Sequence, residues 1–293
     1  MTPEIFADIK HHYRLRTDYH RAEKSLTLQC KAMLRRLCDG DKDEANKLYK
    51  TVEQGHAPTD THGHDALLTA SLVCAPLIES KTRLMEYRKI EEKAIIKAVK
   101  KLDVWSWVEA QRGIGALSFA CLVGETGDLS NYSTVSKVWK RLGLAVIQGG
   151  RQRKVKDKDL AIEMGYSASR RAVVWNIGEG FTKQKENEEK GRVGGHYRDV
   201  YLKFLKDEAL NKAPKAGLIP TTTGKATVKS WEERGLPELT LVKEHDPKLH
   251  RCAAHMNARA KRRMEKRFIR DLWCAWTKTP PNDFHYSVEA VVQ

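Results

Sequence analysis

No stretch of this 293-residue chain is long and apolar enough to cross a membrane. The longest candidate, Ala116 to Val123, is interrupted by Ser118 and falls far short of the ~18 residues that a span needs. The first residues, MTPEIFADIKHH, contain no apolar core of a secretory signal. The cysteines at 30, 38, 74, 121, 252 and 274 form no C-x-x-C pair, which argues against a zinc ribbon or a thioredoxin-like centre. Most lie beside apolar neighbours at helical spacing, so they read as reduced, buried thiols of a cytoplasmic protein. Alternating Val/Ile/Thr runs are missing from the first hundred residues, which removes the main strand signal there. No P-loop, no G-x-S-x-G and no H-E-x-x-H occurs. Acidic residues are plentiful, but two-metal catalysis needs several carboxylates converging on a rigid scaffold. In RNase H-like folds that scaffold is a sheet, and none is legible. The motifs therefore assign no catalytic residue, no metal ligand and no cofactor.

Positive charge is abundant. There are 53 Lys+Arg against 38 Asp+Glu, a net charge of +15, and 41% of residues are hydrophobic. That apolar fraction supports a packed core. The charge points to a polyanionic partner: DNA, with structured RNA as the alternative.

The pattern along the chain is helical. Over residues 3–38, Tyr13, Leu15, Tyr19, Ala22, Leu26, Cys30, Met33, Leu34 and Leu37 recur mostly every three or four positions, with Gly40 as a stop. Such a narrow stripe suits a helical hairpin or coiled-coil pairing. A shorter helix is expected over about 41–53. The segment 54–65, QGHAPTDTHGHD, reads as a loop, and its His56, His62 and His64 as solvated rather than metal-bound. Residues 65–75 look helical, Pro76 can open a further helix at its first turn, and a long charged helix runs from Leu77 to Leu102. The texture changes at 104. A short helix (104–111) leads into Arg112-Gly113-Ile114-Gly115 and an apolar helix, and Ser133 is expected to cap a helix that ends at Gly143. Residues 145–158 read as a glycine-containing basic loop or hairpin, and 159–181 and 195–210 as helices. Residues 211–247, with Pro214, Pro220, Pro237 and Pro247, read as an insertion or linker, with room for short strands around ELTLV. A long amphipathic helix is expected over about 248–277.

Four places offer phosphate contacts. Gly113-Ile114-Gly115 between two helices has the physics of a helix-hairpin-helix, in which backbone N–H groups at a helix start face a phosphate. The alternative is a tight turn in a core. The loop Gln148-Gly149-Gly150-Arg151-Gln152-Arg153-Lys154-Val155-Lys156 places four cations within six residues. Arg170 and Arg171 sit in the first turn of a helix capped by Ser167, where cations oppose the helix dipole and an anion partner would explain them. Arg259, Arg262, Arg263, Lys266 and Arg270 share one helical face. Residues 255–270 hold seven Lys/Arg and one Glu, whereas a solvated face normally mixes signs.

The run QRGIGALSFACLVGETGDLSNYSTVSKVWKRLGL (111–144) resembles the C-terminal domain of the insertion sequence 110 family of transposases, the bridge-RNA-guided recombinases. The shared pattern is a GIG turn, an apolar helix, an acidic-Gly-Asp step, an aromatic, a Ser-capped helix and G-L. More loosely, Ser169-Arg170-Arg171, His196-Tyr197, ARAKRRMEKRFIRDLWCAW and the coiled-coil-like YRLRTDYHRAEKSLTLQCKAMLRRL (13–37) fit as well. Only 111–144 is specific. The resemblance implies DNA transposition or site-specific recombination. It also implies an N-terminal RuvC-like domain with a DEDD carboxylate set, for which the helical start of this chain supplies no strands. The family's serine, typically in a Q-S-G-like step after G-L, meets Gln148-Gly149-Gly150 here, with Gly149 at its place.

The expectation is an all-α protein with a coiled-coil arm (1–103) and a helix-hairpin-helix-bearing, transposase-like domain (104–293). Its expected role is DNA binding through backbone contacts, without autonomous strand transfer, as a homodimer joined through the arm and with no membrane partner. Three rivals stand beside it: an active recombinase completed by a partner chain, a domesticated regulator that binds DNA or RNA without cutting, and a mainly structural protein, against which the one-signed basic helix argues.

Overall fold

The computed structural model describes residues 3–54, 64–187, 189 and 191–280, except for the side chains of 64–67. Among these the chain is mostly helical, with five short strands. It divides into two compact units, one ending at Ala98 and the other beginning at Val99.

The first unit is built from α1 (Pro3–Leu37), α2 (Lys42–Gln54) and α3 (His64–Val99). The apolar stripe of α1 buries Ile9, Tyr13, Cys30 and Leu34. Cys30 and Leu34 meet Ala45, Leu48 and Tyr49 of α2 and Ala70 and Cys74 of α3 in one cluster. Where that stripe is thin, ion pairs join α1 to α3: Arg16 to Glu92 at 3.0 Å, Arg88 to Glu23 at 2.7 Å, and His12 to Glu91. The start of α1 meets the end of α3 (His12 with Glu91), and Cys30 and Leu34 further along α1 meet Ala70 and Cys74 near the start of α3, so the two helices run antiparallel. Asp41 starts α2 by accepting the backbone N–H groups of Asp43 and Glu44 at 2.8 and 3.1 Å.

Pro76, expected to begin a helix, instead lies inside α3. Interior proline removes a helical hydrogen bond. Here Ala70 and Cys74 before it and Leu77 and Ile78 after it pack on the same cluster, which holds the helix continuous across the proline. Of the loop read over 54–65, Gln54 ends α2 and His64 and Asp65 begin α3, while residues 55–63, with His56 and His62, lie outside the described residues, as does the tail beyond 280.

The second unit is organised around α12 (Ala253–Thr277). Its residues Ala253, Met256, Ala260, Met264, Phe268, Leu272 and Trp276 recur every three or four positions and are all buried. Around it pack α6 (Val135–Arg141), α8 (Ala168–Thr182) and α9 (His196–Asp207), and α8 in turn carries α5 (Ala116–Thr126). Phe268 is fully buried at the aromatic centre, with Phe181 at 4.9 Å, Tyr197 at 5.3 Å and Trp107 at 6.2 Å between ring centroids. Trp107 belongs to the short α4 (Trp105–Glu109).

Several expected boundaries shift. Thr134, rather than Ser133, precedes α6, and no side chain caps that helix. The helix expected over 159–181 is two, α7 (Lys158–Met164) and α8, separated at the left-handed Gly165. Residues 145–158 do contain a hairpin, β1 (Val146–Ile147) against β2 (Gly150–Arg151).

Residues 211–247, read as an insertion or linker with room for short strands around ELTLV, are folded, and a strand at Thr240–Leu241 does fall within ELTLV. After α9 the chain makes a π-helical turn (Glu208–Lys212) and the short α10 (Ala213–Lys215). It then forms β3 (Ile219–Thr222), α11 (Lys225–Glu232) and β4 (Thr240–Leu241). With β5 (His250–Cys252) these make a parallel sheet in the order β4-β3-β5. Strands of two to four residues are too short to show a two-residue period. The prolines sit where they are tolerated. Pro214 occupies the first turn of α10. Pro220 lies where β3 pairs with β5 alone.

Candidate nucleic-acid interface

The β1–β2 hairpin turns through Gln148 (φ +49°) and Gly149 (φ +72°), both in the left-handed region. Such a two-residue turn matches the strand twist and favours glycine at its second position. The position aligned with a serine in the resemblance is thus a hairpin tip. Behind the turn, Gln152 is 2% exposed and clamps the hairpin base. Its Nε2 donates to the carbonyls of Lys140 (2.9 Å) and Met164 (2.5 Å), and its Oε1 accepts from the N–H of Ala145 at 3.2 Å. Gln148 bonds Glu163 at 3.0 Å. The clamp leaves Arg151, Arg153, Lys154 and Lys156 exposed, and none of them pairs with a carboxylate among the described residues.

The cations of α12 behave differently, because the face read as a phosphate surface is largely turned inward. Glu208 in the π-helical turn is 1% exposed and takes Arg259 at 2.6 Å and Arg263 at 3.5 Å. Arg263 also holds Asp207 at 2.6 Å and lies over the Phe204 ring. Arg270 is buried and bound to Asp271 at 2.9 Å. Lys266 lies over Trp139, 4.8 Å from the ring centroid, and burial, then Arg262, lowers its pKa. Arg262 donates to the carbonyl of Gly143 at 3.0 Å, and burial followed by the charge of Arg171 lowers its pKa too.

The arginine pair on α8 also finds its anions inside the protein. Ser167 caps α8 by accepting the N–H of Arg170, as expected. Arg170 reaches Glu125 at 3.5 Å, and Arg171 reaches Glu265 at 2.7 Å. Glu265 is 1% exposed, and burial pushes its carboxyl up to about 7 against the pull of Arg171, Lys261 and Arg262. The hydroxyls of Ser167 and Ser169 lie 2.9 Å apart, and among the described residues neither bonds a histidine or a carboxylate.

The two glycines of the GIG step separate in role. A Cβ on Gly113 (φ +108°) would stand 2.8 Å from the Phe181 ring, so this residue lets the turn pack on α8. Gly115 precedes α5 with open space where a Cβ would point.

Two residues missed in the sequence extend the hairpin's surface. Desolvation and then the charges of Arg251 and Arg259, with a further contribution from Arg151, lower the pKa of the exposed His255. The same Arg151 charge reaches Arg262. Arg151 and Arg251 thus act on His255 at the start of α12, where Arg259 is already paired with Glu208. Arg251 precedes His255 and Arg259 at four-residue steps within the helix expected over about 248–277, but it lies in β5, just ahead of α12.

Among the described residues no three His, Cys, Asp or Glu side chains gather as a metal site, and no helix is long and apolar enough to cross a membrane. Comparison with protein-family models, with curated proteins and with solved structures finds no match.

Proposed function

We propose that the chain is a transposase-type nucleic-acid-binding protein that grips DNA through its phosphate backbone with the β1–β2 hairpin and the start of α12. The observation that carries this is the contrast in pairing. Arg151, Arg153, Lys154 and Lys156 are exposed and, among the described residues, unmatched on a clamped hairpin, while Arg170, Arg171, Arg259, Arg263 and Arg270 have internal carboxylates. Unmatched cations on a rigid support are what counterion release requires. Arg259 is paired with Glu208 yet keeps 47% of its side chain exposed at the start of α12. In this reading α4, the Gly113–Gly115 turn and α5 act as a helix-hairpin-helix that offers the open N-terminus of α5 to the backbone. The antiparallel α1–α3 pair acts as a coiled-coil arm for homodimerisation. A glycine at the hairpin tip supports binding without autonomous strand transfer.

The test is fluorescence anisotropy of labelled duplex DNA and structured RNA across salt, with and without magnesium. Replacing the four hairpin cations by Gln should flatten the log–log salt slope on duplex DNA by about 0.9 for each phosphate no longer neutralised. An unchanged slope overturns the interface. Strand cleavage by the purified protein overturns the reading without catalysis.

A further inference from the structure

The C-terminal half of α12 borders an open cleft of about 590 Å³ that the hairpin reading leaves unused. That size lies within the roughly 300–1,000 Å³ of small-ligand sites. Arg267, Asp271, Cys274 and Lys278 line it from one face of the helix, at three- and four-residue steps. The other walls are Trp107 of α4, Gln111 in the turn after it, and His196 at the start of α9. Trp107 is half-buried and stacks on Phe268, with 6.2 Å between ring centroids. Phe268 adjoins Arg267 in sequence, so the indole and that guanidinium belong to the same end of the cleft. The Gln111 Nε2 donates to the Trp107 carbonyl at 3.0 Å. This bond fixes the amide and leaves its second N–H and its Oε1 without a partner among the described residues.

The charge of the cleft is one-sided. Among the described residues Asp271 is the only carboxylate on its walls, and both of its oxygens are engaged. Oδ1 accepts from Arg270 at 2.9 and 3.1 Å, and Oδ2 accepts from the Tyr197 hydroxyl at 3.2 Å and from Arg267 Nε at 3.0 Å. One carboxylate therefore faces two guanidiniums. Arg267 is oriented by its Nε bond, keeps 41% of its side chain exposed, and has both Nη groups without a partner among the described residues. Lys278, about 16 Å along the helix from Arg267, has no carboxylate partner among them either. A flat aromatic wall, a fixed amide and a held guanidinium suit a ring that carries an oxyanion. A phenyl carboxylate would leave the amide idle, whereas a nucleobase presents a donor and an acceptor side by side.

We propose that this cleft binds a nucleoside phosphate, with the base on Trp107 and Gln111 and the phosphate on Arg267. Lys278 adds positive charge at the far end. The nucleotide is either a free one or an unpaired residue of a nucleic-acid strand. The cleft does not depend on the hairpin reading.

Saturation-transfer NMR and calorimetric titration of adenosine 5′-monophosphate with the full chain test it. The base protons should receive saturation from the wild type. Arg267→Gln should weaken binding about ten-fold or more, the worth of a charged hydrogen bond, and Gln111→Leu should weaken it by a smaller factor. No transfer from the wild type, or equal affinity in all three proteins, overturns the cleft. Arg270 still holds Asp271 in Arg267→Gln. Gln111→Leu gives up one bond to a carbonyl, so it decides if the first variant fails to fold. A single strand of about ten deoxyadenosines, the span of a few binding-site lengths, then assigns the source. Displacement of the monophosphate by the strand places a strand nucleotide in the cleft, and monophosphate binding without displacement places a free one. The four-Gln hairpin variant should keep its monophosphate affinity. Loss of that affinity would put the nucleotide on the hairpin and refute the cleft. Retained monophosphate binding beside unchanged duplex binding would fail the hairpin reading alone and leave the cleft standing.

Discussion

The β1–β2 hairpin and α12 carry similar densities of positive charge and use it in opposite ways. On the hairpin the cations project from a two-residue turn anchored from beneath by the buried Gln152. On α12 they interleave with Met256, Ala260, Met264 and Phe268, so any packing of the apolar stripe draws their stems inward as well. The protein then supplies Glu208, Asp207, Glu265 and Asp271 to meet its buried arginines. A one-signed helix face in sequence therefore measures where the partner anions lie along the chain. It does not by itself mark a surface.

The strongest way to break the comparison is to remove one buried partner. Arg171→Ala takes from Glu265 its closest cation, leaving Lys261 and Arg262, and should cost about 3 kcal/mol in denaturant unfolding at pH 7.5. The loss should shrink at pH 5, where Glu265 can take up a proton. A cost below about 1 kcal/mol at both pH values would show that the internal ion pairs are as dispensable as the hairpin cations. Phe268→Ala, which empties the aromatic centre, should cost a comparable amount, about 3–5 kcal/mol, by the same measurement.

Acid titration comes next in size. The Glu265 carboxyl is raised from 4.5 to about 7. Between those values the folded protein holds the proton more tightly than the unfolded chain, so this group's contribution to stability falls as pH rises from about 4.5 to about 7 and is level above. The wild type should lose stability across that window relative to Glu265→Gln. Parallel pH profiles would place the titration elsewhere.

A smaller effect separates the two glycines. Gly113→Ala meets Phe181 and a positive φ, and should cost more than about 1 kcal/mol. Gly115→Ala should cost less, since nothing stands within 4 Å of its Cβ position. Smallest of all, the four-Gln hairpin variant should lie within about 0.5 kcal/mol per substitution of the wild type in stability while losing DNA affinity. A large drop in its Tm would mean that these cations are structural.

How much the sequence revealed follows the range of the interaction involved. α1, α2 and α12 are legible because their apolar residues keep a helical period over several turns. The hairpin is legible because Gly149 and Gly150 precede a dense run of cations. The continuity of α3 is hidden, since it rests on packing that flanks Pro76 from other helices. The parallel sheet is hidden because β3 pairs with β5 across about thirty residues and no described strand exceeds four. The inward turn of the α12 cations is hidden for the same reason: Arg259 and Arg263 find their carboxylates 51 and 56 residues back. Local pattern records what a helix offers, and distant residues decide what it meets.

The position of α12 has a consequence for how the second unit comes into being. Its central helix is the last described element, at 253–277, yet α6, α8, α9 and the sheet all rest on it. During synthesis at about 5–20 residues per second, the segments from Val99 onward wait roughly 8–30 s before that helix is made. From its own synthesis Phe181 waits roughly 4–17 s for Phe268, Tyr197 somewhat less, and Glu208 meanwhile has no arginine to neutralise it. Until α12 arrives, the nascent unit carries aromatics without their central partner and carboxylates without their arginines together.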